Sequence, residues 1–388
     1  MGTDLSWGAR TLIRILIFVG FYGRIEENSR MRGNDGMKRK SEITFLNLLL
    51  CLMVIFIHVS SESVSALDAN GVPLHLISVL LWRLSLIVVP GFIALSGVKL
   101  FLKYKNTEFH ALSFYKSRFV TILIPYLLWT TAYYVYYCIV KEDMSFTWGK
   151  LIFCLYSGEI GGHLYFVIAL LQFYLLFPLF LFLFKRISPG VMLSVALLFQ
   201  LILGDSLPFL VDFFVRDYYF IYADRIFTRY LFWWTAGCYI GLYYDQFCAA
   251  LKKNTPALGA VFLAALGLEL FSFVAKYRCA YRFPMEDTIH MLYTLTALLI
   301  LYRIGFELRK TRWLNSKFVG LADRSSFYVY LSHCMLLMEV TRLLDARGIT
   351  APALRYGVKI GVVYFVSFAL CMGYTACRTR LRERNKQK

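Results

Sequence analysis

Apolar runs of about 18 residues or more recur along the chain, separated by short polar stretches. Taken in order, they predict about ten membrane-spanning helices, at 43–60, 77–98, 118–140, 164–184, 190–206, 226–244, 256–275, 287–304, 326–344 and 355–376. The fold class expected is all-α, a polytopic transmembrane helical bundle. The polar stretches alternate in charge. Lys38, Arg39 and Lys40 precede the first run, and basic residues return after the second, fourth, sixth and eighth runs and in the closing "RTRLRERNKQK". The stretches between, such as "SESVSALDANG" and "KEDMSFTW", are mixed. Basic loops face the cytoplasm, so both termini are predicted there.

The first 36 residues depart from this pattern. "TLIRILIFVGFYG" is a short apolar run broken by Arg14, too short to span. It reads as an interfacial helix or as a leader outside the working protein, with Met37 as an alternative start. The expected organisation is a leader over 1–36, a transmembrane domain over 37–377 and a basic cytoplasmic tail over 378–388.

Composition agrees, at 59% hydrophobic and 18% aromatic residues. The net charge of +18 does not signal nucleic-acid binding, because the basic residues are spread among the loops rather than gathered on one soluble patch. Nine cysteines, mostly in or beside apolar runs and without a C-x-x-C pair, read as free thiols; no metal site is expected. The polar loops are too short to house a soluble domain, so function must reside in the helices and short loops.

Polar residues inside the runs are the candidates for chemistry, since each costs free energy in hydrocarbon unless satisfied. The first run, "ITFLNLLLCLMVIFIHVSS", carries Asn47 and His58. Eleven residues are about three helical turns and about 16 Å of rise, so the two share a face, with Thr44, Cys51, Ser61 and Glu62 close to the same stripe. Either inter-helix hydrogen bonding or function explains Asn47; for His58, function is favoured, because imidazole is suited to proton transfer near neutral pH. Arg83 lies within the second run, where it snorkels or contacts substrate. Lys116 and Arg118 stand at the start of the third run, as positive-inside anchors or as a phosphate clamp, with Tyr126 and Trp129 deeper. His163 and Tyr165 open the fourth, where a solvated helix-start histidine and an interfacial aromatic anchor are the plain alternatives. Tyr330 and His333 lie about one turn apart in the ninth, and His333 serves either a ligand or helix packing.

The order of "LLCLMVIFIHVSS", "VPGFIALSGVKLF", "FYKSRFVTILIPYLLW", "GHLYFVIALLQFYLLFPLF" and "SSFYVYLSHCMLL" resembles the acyltransferase-3 family of integral membrane O-acyltransferases, over roughly residues 38–376. The resemblance implies transfer of an acyl group, acetyl or succinyl, from cytosolic acyl-CoA to a glycan or lipid-linked sugar bound for the cell surface, as in exopolysaccharide biosynthesis. It implies residence in a cell membrane, bacterial inner or plasma membrane, among membrane lipids, with acyl-CoA as substrate and no tightly bound cofactor. The family's first-run histidine maps onto His58, as base or transient acyl carrier, and its phosphate-binding basic residues map onto Lys116 and Arg118. With Asn47, Tyr330 and His333 beside His58, and Arg83, Tyr126, Trp129, His163 and Tyr165 for the acceptor, this makes the candidate site. Two positions depart: Asn47 stands where the family usually has an arginine, and Thr121 where it often has a second one at the third run. An alternative on the same fold is a non-catalytic transporter or export component for a polysaccharide or lipid-linked sugar.

Overall fold

A computed structural model of the protein describes residues 40–69, 74–141, 143–204, 207–215, 221–281, 283 and 285–386. The leader over 1–36 and the alternative start at Met37 lie outside these residues. Among the described residues all regular structure is helical, so the chain is an all-α, polytopic helical protein. Helices occupy each of the ten apolar runs. Seven segments are long and apolar enough to cross a membrane: Ser41–Asp68, Leu74–Tyr104, Ala111–Ile139, Tyr165–Phe184, Thr255–Cys279, Glu286–Leu308 and Pro352–Leu381. Of the other three runs, the fifth is a shorter apolar helix and the sixth opens in 3-10 turns. The ninth is 30 residues long but carries Asp323, Arg324, Glu339 and Arg342.

The chain divides into two compact units. One comprises residues 38–102 and 237–376. Here α1 (Ser41–Ala69) packs against α2 (Leu74–Ser85), and against α13 (Glu286–Leu308) and α14 (Lys317–Ala346); α11 (Tyr244–Lys253) touches α13, and α12 (Thr255–Cys279) lies along it. Leu50, Cys51, Ile55 and Val59 of α1 are fully buried. The second apolar run, expected as one helix, is two. α2 stops at Ser85 and α3 (Val88–Tyr104) begins after a turn. Pro90 has no amide hydrogen to donate to the carbonyl of residue 86, so the helical ladder breaks there. Close approach then depends on glycines. A Cβ on Gly237 of α10 (Leu231–Leu242) would lie 2.0 Å from the Ala94 carbonyl oxygen, and one on Gly241 would lie 2.7 Å from that of Val98. Small residues four apart let α10 and α3 meet backbone to backbone.

The other unit contains residues 103–236. It runs through α4 (Ala111–Arg118), α5 (Ile124–Ile139), α6 (Trp148–Ser157), α7 (Tyr165–Phe184), α8 (Pro189–Phe199), α9 (Leu207–Phe214) and the start of α10. Its core is aromatic: Phe173 stacks on the fully buried Trp234 at 4.7 Å, and Phe114 on Phe177 at 5.1 Å. Between α4 and α5, Phe119–Leu123 form a π-helical turn. Pro125 accounts for it, since it cannot donate to the carbonyl of Thr121 and the ladder widens to pass it. Gln172 holds the irregular stretch before α10: its amide donates to the Arg225 carbonyl and accepts from the Phe227 amide. All nine cysteines are free thiols.

Candidate active site

The polar stripe of α1 faces α14 along most of its length. From its N-terminal end, Ser41 donates to Asn315 Oδ1 (2.6 Å), and Thr44 donates to Asp323 Oδ2 (3.1 Å). Asn47 donates to Asp323 Oδ1 (2.9 Å) and to Ser326 Oγ (2.8 Å). Cys51 Sγ lies 3.6 Å from the Ser326 carbonyl. Farther on, Thr341 donates to Glu62 at 2.6 Å, and Lys359 of α15 (Pro352–Lys386) pairs with the same carboxylate at 2.9 Å. Ser61 turns aside to α2, accepting from the Trp82 indole. Apolar side chains alone would leave these two helices free to slide and rotate; paired polar groups fix the register.

Between these polar ends the seam brings two imidazoles together. The rings of His58 and His333 are 5.2 Å apart, centre to centre, and tilted by 53°. His333 is fully buried and its Nδ1 lies 2.7 Å from the Tyr330 carbonyl. A carbonyl only accepts, so Nδ1 carries the proton and Nε2 keeps its lone pair. Cys334 Sγ is 3.3 Å from that Nε2 and donates its S–H to it. The Tyr330 ring is 6.1 Å from the His333 ring, packed on Phe327 and edge-on to Phe92. His58, His333 and Cys334 each offer a ligand atom within 4.8 Å of the others, a set from which a soft divalent ion could be held.

His58, Tyr330 and His333 are therefore neighbours, as an active-site reading requires. Asn47 is on the same face of α1, about 16 Å away along the axis, where it holds Asp323 and Ser326 and accepts from Lys99 Nζ at 2.9 Å. Arg83 belongs to a different cluster in the same unit. It donates to the fully buried Glu269 at 2.6 Å, and the same carboxylate oxygen lies 2.8 Å from His290 Nδ1. Glu286 closes the cluster, 3.8 Å from Arg83 and 2.9 Å from Lys276. Arg83 is held by a carboxylate inside the bundle rather than snorkelling.

The remaining expected residues lie in the other unit. The Arg118 guanidinium sits over Phe114 (5.3 Å) and Tyr174 (5.1 Å), and its buried Nε has no hydrogen-bond partner among the described residues. Aromatic rings hold the cation in place without consuming its donors. Lys116 is exposed, and Thr121 turns its hydroxyl back to the Ser117 carbonyl. Tyr126 donates to the Leu155 carbonyl. Trp129 and His163 are joined through Tyr133, whose ring lies 6.3 Å from the first and 5.4 Å from the second. His163 is only 2% exposed, which rules out a solvated helix-start role. Tyr165 is partly buried at the start of α7.

Several participants escaped sequence reasoning although a signal was present. Lys99 lies inside the quoted "VPGFIALSGVKLF", and Glu269 is the one acid in the apolar "LGLELFSF". An ionisable residue in such a run needs a partner, and each has one. Cys334 had no such signal; only its neighbour in space gives it meaning.

The profile of the acyltransferase-3 family, described as an acyltransferase domain, matches residues 41–373. The protein belongs to that family. Its acyltransferase-3 domain thus takes in both units, and membership makes the chain a multi-pass membrane acyltransferase. Among curated relatives, the chain is similar to a probable poly-beta-1,6-N-acetyl-D-glucosamine export protein of Staphylococcus epidermidis and to the protein of the same name in its strain RP62A. Each is 24% identical over 346 residues, covering 86% of this chain and 92% of the relative. No solved structure matches.

Proposed function

We propose that this acyltransferase-3 protein transfers an acyl group, acetyl or succinyl, from cytosolic acyl-CoA to a hydroxyl of a cell-surface or lipid-linked glycan, in a bacterial cell membrane. The observation that carries the reading is the pairing of His58 with His333. His58 removes the proton from the acceptor hydroxyl as that oxygen attacks the thioester carbonyl; the C–S bond breaks and CoA leaves as a thiolate, which takes up a proton. The imidazolium formed on His58 lies beside the His333 ring, 5.2 Å away centre to centre, and that ring is held in place by its Nδ1–H bond to the Tyr330 carbonyl. Tyr330 is the candidate donor to the developing oxyanion. Arg118, held over Phe114 and Tyr174, and the exposed Lys116 are assigned to the phosphates of CoA. The exchange of a thioester for an oxygen ester runs downhill, so no further energy source is needed.

His58→Ala at unchanged expression is expected to abolish acylation of the surface glycan, read as the loss of one acyl mass by mass spectrometry. Wild-type acylation in that variant would sink the proposal.

The name of the S. epidermidis relative favours a second reading, export of a glycan without acyl transfer. Intramembrane polar seams suit a translocation path as well as an active site. Purified protein that neither binds nor hydrolyses short acyl-CoA, yet moves glycan in vesicles, would decide for export.

A further inference from the structure

The His58–His333 pair has a third neighbour that acyl transfer does not use. Cys334 follows His333 directly, yet its Sγ folds back to 3.3 Å from His333 Nε2. In a tetrahedral zinc site with Zn–N near 2.0 Å and Zn–S near 2.3 Å, an N···S edge is about 3.5 Å and an N···N edge about 3.3 Å. The Cys334–His333 edge is thus already close to that length. With all three ligand atoms within 4.8 Å of one another, side-chain adjustments of about 1.5 Å or less complete the triangle.

Three features suit a metal and go beyond proximity. His333 has the tautomer that ligation requires: its Nδ1–H is spent on the Tyr330 carbonyl, leaving Nε2 as the ligand atom. Two imidazoles and a thiolate make a soft, borderline set, which selects zinc-class ions over magnesium or calcium. The α1–α14 seam pre-sets the distance, with polar pairs on either side of the histidines at Asn47–Asp323 and Thr341–Glu62. The helices need not move for the ligands to converge.

We propose that His58, His333 and Cys334 form a binding site for a zinc-class divalent ion that occupies the imidazole of the catalytic base, so that the ion and acyl transfer exclude one another. Binding displaces the Cys334 proton to solvent and leaves the thiolate on the metal; His58 and His333 bind as neutral imidazoles. A metal on His58 removes the lone pair that would take the hydroxyl proton. The regulatory half of this proposal rests on the acyl-transfer reading above; the binding half does not.

The test uses the full-length protein purified in detergent, with Co(II) as the spectroscopic probe and Zn(II) as competitor. One equivalent of Co(II) is expected to give a thiolate-to-metal charge-transfer band in the near ultraviolet, abolished by added Zn(II). The band is expected to be absent from Cys334→Ser and weakened in His333→Ala, each eluting as the wild type does on size exclusion. No band in the wild type, or one that survives Cys334→Ser, overturns the site, the second outcome locating the ion at another cysteine. In the acyl-transfer assay, the Zn(II) concentration that halves the rate is expected to rise at least about tenfold in Cys334→Ser. Equal sensitivity of the two proteins overturns the regulatory half. A wild type with no acyl transfer in chelator refutes the proposed function and with it the regulatory half, while the Co(II) band still decides whether the site exists.

Discussion

Lys99 Nζ donates to Asn47 Oδ1 at 2.9 Å, while the Asn47 amide donates to Asp323 Oδ1 at 2.9 Å. One asparagine therefore mediates between a cation on α3 and a carboxylate on α14. The resemblance to the family implies an arginine at position 47, so on sequence alone Asn47 reads as a missing charge. The structure brings a cation to it from a neighbouring helix: α3 brings an ammonium to the carbonyl side of the amide, and α14 brings the carboxylate to its other side. A neutral amide is the residue type that can accept from one and donate to the other.

This arrangement makes position 47 sensitive to context. Asn47→Arg alone is expected to lower thermal stability in detergent, because it sets a second cation against Lys99. Combining it with Lys99→Gln is expected to recover most of the loss, since the arginine then pairs with Asp323. A double variant no more stable than Asn47→Arg would show that Lys99 does not occupy the role of the displaced cation.

His333 is assigned to positioning and to electrostatic support of the His58 imidazolium. His333→Ala is expected to lower kcat by about 10–100-fold with little change in KM for acyl-CoA, a smaller loss than the about 10²–10⁴-fold expected when a general base is removed. The acid limb of the pH–rate profile should also shift, because the group that takes up the proton has lost its neighbour. A His333→Ala protein whose kcat and pH profile match the wild type would remove His333 from the mechanism.

Arg118 should act in binding rather than in chemistry. Lysine keeps the charge but neither spreads over Phe114 and Tyr174 nor offers paired donors. Arg118→Lys is expected to raise KM for acyl-CoA about tenfold at nearly constant kcat, the signature of lost uniform binding. Steady-state kinetics with purified protein checks it; an unchanged KM would place the donor phosphates elsewhere.

The Arg83–Glu269–His290 cluster should be structural. Arg83→Met leaves the fully buried Glu269 without its guanidinium, a loss of about 3–5 kcal/mol for a buried pair broken on one side. Arg83→Met with Glu269→Leu removes both charges and is expected to regain much of that stability. Thermal melts of the two variants give the comparison, and a double variant as unstable as the single one would point to a role for Arg83 other than pairing.

Gly237 is fixed by contact with backbone. A methyl there would overlap the Ala94 carbonyl, which has no rotamer with which to yield. Gly237→Ala is expected to destabilise the protein by at least about 2 kcal/mol, whereas Gly259→Ala, with open space around its Cβ, should be neutral or mildly stabilising. Equal melting temperatures for the two would contradict the close α3–α10 approach.

The sequence by itself determined the class of this protein and the outline of its site. Hydrocarbon admits only segments that satisfy their own backbone, so a spanning helix must declare itself as a local apolar run, and the ten runs all became helices. The period of the α-helix put Asn47 and His58 on one face of α1, and the cost of polar groups in that setting marked His58, His333 and Arg83 as residues with partners. Which partners they take is not a local property. His333 meets His58 across 275 positions of chain, Asn47 finds Lys99 and Asp323, and Arg83 finds Glu269 on a helix almost two hundred residues on. Those pairings depend on which helices pack together and in what rotation, and apolar pattern says little about that when most of the spanning helices are apolar on nearly every face. Tertiary structure alone decided that α3 supplies the cation beside Asn47, that Arg83 is committed to a buried carboxylate, and that Cys334 stands beside the imidazole pair.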